Sequence, residues 1–207
     1  MSWYKEYKSE WKEIIETISR EVNRTPQMIE KDTIQSMFLL ELSKLDLSFV
    51  FKGGTSLSKG YGLIDRFSED IDLSMNVKPT ESEKKKSKAE IERIANSLGM
   101  VLDNPEDIQS RHLYDIAKIL PHIELNKEID ELIDDVRNDR MLSKNNPSAQ
   151  LDYNIPEMLQ EIINSRFYES DYNNITKKLL YEDVSYDEAI QKGISVIAQM
   201  DIFEYKK

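Results

Sequence analysis

The apolar residues of this chain keep helical spacing almost throughout and abandon it between residues 48 and 75. Tyr7, Trp11, Ile14, Ile15, Ile18 and Val22 recur at helical intervals and predict an amphipathic helix over residues 4–22. Thr25-Pro26 reads as an N-cap followed by proline at the first helical position. A second helix should run from there to about Leu45, with Ile29, Ile34, Met37, Phe38, Leu42 and Leu45 as its apolar set. Then the period changes. Ser48-Phe49-Val50-Phe51-Lys52 is short, aromatic and β-branched and stops at Gly53-Gly54, the pattern of a buried strand entering a glycine turn. Thr55 or Ser56 is placed to cap a short helix through Lys59, and Gly60 and Gly62 loosen the chain beyond it. Asp70-Ile71-Asp72-Leu73-Ser74-Met75 alternates strictly and predicts a second strand.

Helical spacing returns after this strand. Thr80 to Leu98 predicts a charged helix with a seam at Ile91, Ile94, Ala95 and Leu98, ended by Gly99. Met100–Leu102 is a candidate for a further short strand. Segments 111–120, 127–140, 156–168, 172–180 and 186–201 each carry an apolar stripe, with Pro121 stopping the first and a Ser185/Glu188 capping box opening the last. The expected class is α+β and helix-rich: a small mixed sheet with flanking helices, then a helical C-terminal part. Residues 1–103 should hold the N-terminal helices and the sheet, and residues 104–207 the helical remainder.

Composition narrows the chemistry. The chain has no cysteine, which excludes disulfides, thiolate catalysis, iron–sulfur clusters and cysteine-ligated zinc. Its two histidines, His112 and His122, are too few for a histidine-rich metal site. A net charge of −11 disfavours general polyanion binding unless charge is segregated. No apolar run is long enough to span a membrane, and the polar N-terminus does not read as a signal peptide. These features point to a soluble, cytoplasmic chain. Lys84-Lys85-Lys86 is the only basic run and reads as a solvated helix face.

Asp70 and Asp72 stand apart from the other acid-x-acid pairs. Glu81/Glu83, Glu90/Glu92 and Glu128/Asp130 fall on helices, where such spacing is surface charge. Asp70 and Asp72 alternate with Ile71, Leu73 and Met75. On a strand they would share one face, about 6–7 Å apart at the backbone. Two carboxylates so placed can converge on a hard cation such as Mg²⁺, which takes oxygen ligands and keeps positions for water and phosphates. Upstream, Gly53-Gly54 lets backbone approach a ligand closely, and Thr55 and Ser56 offer hydroxyls and N–H groups at a helix start, a seat for phosphate. Lys59 can add charge to it. The turn is neither a P-loop nor a dinucleotide fingerprint, because no Lys-Ser/Thr pair occurs at the required spacing and Gly-x-Gly-x-x-Gly is absent from it.

A glycine–serine turn succeeded by an Asp-x-Asp strand resembles the first motif of the polymerase-β-like nucleotidyltransferases. The fuller string, Lys-Gly-Gly-Thr-Ser-Leu-Ser-Lys and then Arg-Phe-Ser-Glu-Asp-Ile-Asp-Leu, resembles the AbiEii family, the toxin component of type IV toxin–antitoxin and abortive-infection systems. Ile29-Glu30-Lys31-Asp32 and Arg111-His112-Leu113-Tyr114-Asp115-Ile116 are similar to further elements of that family. The resemblance implies a nucleotidyltransferase that moves a nucleotide from a triphosphate to an acceptor, such as tRNA or a protein. It implies that Gly53, Gly54, Thr55, Ser56 and Lys59 hold the nucleotide. Asp70 and Asp72 would hold Mg²⁺ or Mn²⁺, and Asp115 would be a second acid orienting catalytic groups. It also implies a cognate antitoxin, for which the acidic balance suggests a basic protein. An RNA acceptor would have Lys84, Lys85, Lys86 and Lys88 with Lys177 and Lys178 to hold it.

One departure matters. The family's strand-rich middle, with a third carboxylate and a lysine helix, normally separates the Asp-x-Asp strand from the final motif. Here Gln109-Ser110 runs directly into Arg111, and a helix takes most of the intervening chain. The chain is either a shortened member or a sequence from which an internal segment is missing. Asp103, Glu106 and Asp107 are candidates for a substitute base, although Asp-Asn-Pro-Glu-Asp reads as a solvated turn. The alternative function is a catalytically degenerate relative that binds nucleotide or protein.

Overall fold

A computed structural model describes residues 3–45, 49–75, 79–100, 110–124, 126–142, 146–150 and 153–200. The chain divides into two units. The first comprises Met1–Gly62 with Phe67–Asp107, and the second comprises Leu63–Arg66 with Ile108–Lys207.

The first unit opens with helices α1 (Trp3–Glu6), α2 (Lys8–Val22) and α3 (Pro26–Leu42). The single helix expected over residues 4–22 is interrupted at Tyr7, whose φ and ψ of −114° and 60° leave the helical region. α3 starts as its sequence dictates: the Thr25 side chain accepts the Met28 N–H and Pro26 occupies the first turn. Such a cap contributes about 1 kcal/mol. Strand β1 (Phe49–Lys52) pairs antiparallel with β2 (Asp72–Met75), in the register Phe49–Met75, Val50–Ser74, Phe51–Leu73 and Lys52–Asp72. Among the described residues this two-stranded ribbon is the whole sheet. Between the strands lies α4 (Gly53–Thr55), and after them α5 (Glu81–Leu98). α5 carries a complete capping box between Thr80 and Glu83 and ends at Gly99, in the left-handed region at φ 70°. Phe38 and Leu42 from α3 meet Ile94, Ala95 and Leu98 from α5 in a core that Tyr4 closes. Phe49, Ile71 and Leu73 pack against it, so one face of the ribbon rests on helices. Val50, Lys52 and Asp72 lie on the other face, exposed. Of the strand suggested at 100–102, Met100 is described and lies outside any strand, packing against the core; residues 101–102 and the acids Asp103, Glu106 and Asp107 fall outside the described residues.

The second unit is helical: α6 (Arg111–Ile119), α7 (Lys127–Met141), α8 (Ile155–Ser165), α9 (Glu169–Asp171), α10 (Lys177–Leu179), α11 (Tyr186–Lys192) and α12 (Ile194–Ile197). Pro121 lies inside a 3-10 turn, Leu120–His122, that closes α6. The stripe at 172–180 is a π-turn, Tyr172–Thr176, running into α10, not one regular helix. The helix expected over 186–201 is divided at Gly193, and Ser185 caps its first half by accepting the Glu188 N–H. Leu113, Tyr114, Ala117, Tyr172, Ala189, Ile190 and Ile194 are buried. The Tyr172 and Tyr186 rings meet edge to face at 5.8 Å.

Candidate active site

β1 delivers the chain into a helical turn with no intervening loop. α4 begins at Gly53 and continues as a π-turn through Gly60. Thr55 and Ser56 therefore lie inside the helical stretch and cap nothing; Lys52 is the capping position. The reversal depends on Gly53, whose φ of 72° a side chain rarely permits. A second reason excludes a side chain there. A Cβ on Gly53 would overlap the Asp72 carboxylate and lie 2.8 Å from its Cγ. The missing side chain is thus the space that the Asp72 carboxylate occupies.

Asp72 is the first residue of β2 and Asp70 precedes the strand, so the pair does not share a strand as its alternation suggested. The Asp70 backbone is held instead by a hydrogen bond from the Thr55 hydroxyl to its carbonyl oxygen. Thr55 is fully buried and Ser56 nearly so. The acid segment and the glycine turn are thereby joined twice, through Thr55 to Asp70 and through the contact of Gly53 with Asp72.

Helix α3 supplies further ties, and Gln35 is their buried member. Its Nε2 donates to the Ser68 carbonyl at 2.8 Å. Lys59 pairs with Asp32 at 2.8 Å and donates to Ser36 at 3.1 Å. Lys31 reaches Glu69 at 3.3 Å. Lys59, assigned by resemblance to nucleotide, is here directed to α3. Sequence reasoning missed Gln35. The available signal was a polar residue on an apolar stripe, in step with Phe38 and Leu42 as the buried residues of α3.

A carboxylate seated on a backbone turn, with a second acid two residues before it, fits Mg²⁺ or Mn²⁺, which takes one or two protein carboxylates and completes its shell with water and phosphate oxygens. Asp72 and Asp70 could hold such an ion. No group of three or more acids or histidines among the described residues is placed for one.

Asp115 belongs to the second unit, where it is buried and paired with Arg66. Nε donates to Oδ1 and Nη2 to Oδ2, each at 2.7 Å. Next to it in sequence, the Tyr114 hydroxyl donates to Glu182 and accepts the Asp65 N–H at 3.1 Å. Burial and the bond to Glu182 push the Tyr114 hydroxyl well above the usual phenol range. Lys118 completes the cluster at 2.8 Å from Glu182. His112 and His122 are both exposed. Of the lysines suggested for RNA, Lys84 pairs with Glu81 at 2.6 Å, Lys88 with Glu92 at 3.8 Å and Lys177 with Asp183 at 3.4 Å.

Residues 36–109 match the family model described as Nucleotidyl transferase AbiEii toxin, Type IV TA system. That match shows the AbiEii resemblance over this stretch. It takes in β1, the glycine turn, Asp70, Asp72 and α5. It begins after Asp32 and Gln35 and ends before Arg111, so the suggested likeness at Ile29–Asp32 and at Arg111–Ile116 lies outside it. No curated protein and no solved structure matches the chain. No helix among the described residues is long and apolar enough to cross a membrane.

Proposed function

We propose that this AbiEii-like chain is a divalent-cation-dependent nucleotidyltransferase. The observation that carries this reading is the seating of the Asp72 carboxylate over Gly53, at the start of the turn that would face a triphosphate. Gly53, Gly54, Thr55 and Ser56 form the nucleotide side of the site, with Ser56 nearest the phosphates. Thr55 acts through its bond to the Asp70 backbone. Asp70 and Asp72 hold Mg²⁺ or Mn²⁺. The ion, when bound, neutralises the triphosphate and the leaving pyrophosphate. The acceptor hydroxyl attacks the α-phosphorus; the new P–O bond forms as the bond to the β-phosphate oxygen breaks. The hydroxyl proton passes to a base, and pyrophosphate leaves. Positioning and charge neutralisation supply most of the acceleration in such transfers. Lys59, held by Asp32 and Ser36, adds its charge to the turn from the α3 side. An RNA such as tRNA is the acceptor this reading prefers, with protein as the other class. A cognate antitoxin would restrain the activity.

One observation favours a second reading, a nucleotide- or protein-binding relative that has lost catalysis. No third carboxylate joins Asp70 and Asp72 among the described residues. A transfer assay separates the two. Each α-labelled triphosphate is offered with Mg²⁺ and total RNA to the protein and to Asp72→Asn. Label entering RNA or protein only with the unmodified chain is the expected result. Mg²⁺-dependent triphosphate binding without any labelled product would establish the binding module.

A further inference from the structure

Gln35 is 3% exposed, and its two polar atoms are treated unequally. Nε2 donates to the Ser68 carbonyl at 2.8 Å, two residues before Asp70. Oε1 is buried without a hydrogen-bond partner among the described residues. A buried amide half satisfied in this way is poorly suited to stabilising a core, where an apolar side chain would serve better. Its geometry suits holding one backbone carbonyl in one place. Asp32 and Ser36, on the same side of α3 at helical spacing, hold Lys59 behind the glycine turn. One helix face therefore grips both halves of the site, the turn through Lys59 and the acid segment through Ser68.

We propose that Gln35 is a positioning residue for Asp70 and Asp72. By fixing the Ser68 carbonyl against α3, it sets where the acid segment enters β2 and hence how the carboxylates meet the glycine turn. Its contribution to divalent-cation affinity exceeds what its single bond to the Ser68 carbonyl gives to fold stability. The proposal rests on the reading of Asp70 and Asp72 as metal ligands. Partners that orient metal ligands are commonly worth about 10–100-fold in affinity.

The test is Mn²⁺ binding without added nucleotide, monitored by electron paramagnetic resonance of the free ion. Urea unfolding of the same proteins is measured in EDTA. Gln35→Met removes donor and orphaned acceptor together at similar volume, and Gln35→Asn keeps the amide but withdraws it by one methylene. Both should weaken Mn²⁺ binding about tenfold or more, the scale of other ligand-orienting partners, and both should lower the urea midpoint only as far as the Ser68 carbonyl left without its donor requires. Parent-like Mn²⁺ affinity in either folded variant overturns the proposal. So does weakening that merely tracks a fall in the urea midpoint. Absence from the parent of any Mn²⁺ binding that Asp72→Asn abolishes has a different signature. It overturns the metal-ligand reading itself, and the proposal with it.

Discussion

Arg66 and Asp115 form a two-point ion pair with both contacts at 2.7 Å, and their side chains are 2% and 8% exposed. A carboxylate so engaged holds chain and does not face solvent. It ties the short Leu63–Arg66 segment to α6, and the Arg66–Leu180 bridge and the Tyr181 N–H to Asp65 carbonyl bond secure that segment again. Losing one partner of a buried pair strands a charge, at a cost of about 3–5 kcal/mol. Asp115→Asn and Arg66→Met should each destabilise the second unit by about that amount. Arg66→Met with Asp115→Leu should recover most of it, because an apolar pair leaves no stranded charge. Urea unfolding of the three variants decides this, and a loss below about 1 kcal/mol in Asp115→Asn would contradict a desolvated pair.

Gly53→Ala meets two obstacles, the positive φ and the Asp72 carboxylate. The backbone penalty alone is about 1–2 kcal/mol. Displacement of Asp72 should add a loss of Mg²⁺-dependent triphosphate binding. Gly62→Ala shares a positive φ of 63° but opens onto empty space. It should lower stability comparably and leave binding unchanged. Calorimetric titration of the two variants with ATP and Mg²⁺ separates strain from the site; equal binding by both would remove Gly53 from it.

Glu182 gives an acid dependence with a definite sign. Burial opposes its ionisation, but the Lys118 and Tyr114 hydrogen bonds prevail and hold its carboxyl below the usual range. Its contribution is therefore complete above the ordinary carboxylate value of about 4.3 and is lost as pH falls through the lower folded value. Glu182→Gln should be less stable than the parent at pH 7, and the two should converge as pH falls through that lowered folded value. The side chain is 33% exposed, so solvent screening keeps the difference modest. Urea midpoints measured from pH 3 to pH 8 test it, and a difference that persists unchanged into acid would refute the assignment.

Gly193 divides the last helix at φ −109° and ψ −100°, where surrounding backbone leaves no room for a side chain. An added Cβ would lie 2.9 Å from the Ala189 carbonyl oxygen and 3.2 Å from the Ala117 nitrogen. Backbone cannot yield as a flexible side chain can, so Gly193→Ala should cost about 1–3 kcal/mol through overpacking. Gly60→Ala, with nothing within 4 Å, is the neutral control. Thermal unfolding of the two gives the comparison.

Local chemistry made several elements readable in advance. The Thr25-Pro26 start, the helix start at Thr80 and the Gly99 stop act within a few residues of themselves, and each appears where the sequence places it. The change of period at residues 48–75 foretold the ribbon. Patterning was less informative about what packs against a stripe. Of the six apolar residues assigned to the first helix, Tyr7, Ile14, Ile18 and Val22 are exposed, and only Ile15 is fully buried. Periodicity specifies a face, not its neighbour.

The candidate site divides along the same line. The residue types around Gly53, Asp70 and Asp72 were legible because a glycine turn and an acidic pair are local patterns, and the family match covers the same stretch. Asp32, Gln35 and Asp115 depend on contacts across long stretches of chain, which no local pattern contains. The sequence by itself determined the helix starts at Thr25 and Thr80, the stop at Gly99, the two strands of the ribbon and the composition of the turn, since caps, glycine conformations and alternation are short-range physics. Only the tertiary structure decided that Asp72 occupies the space Gly53 vacates, that Gln35 holds Ser68 and that Arg66 holds Asp115. Those relationships arise when distant segments pack and buried polar groups must find partners wherever the fold brings them.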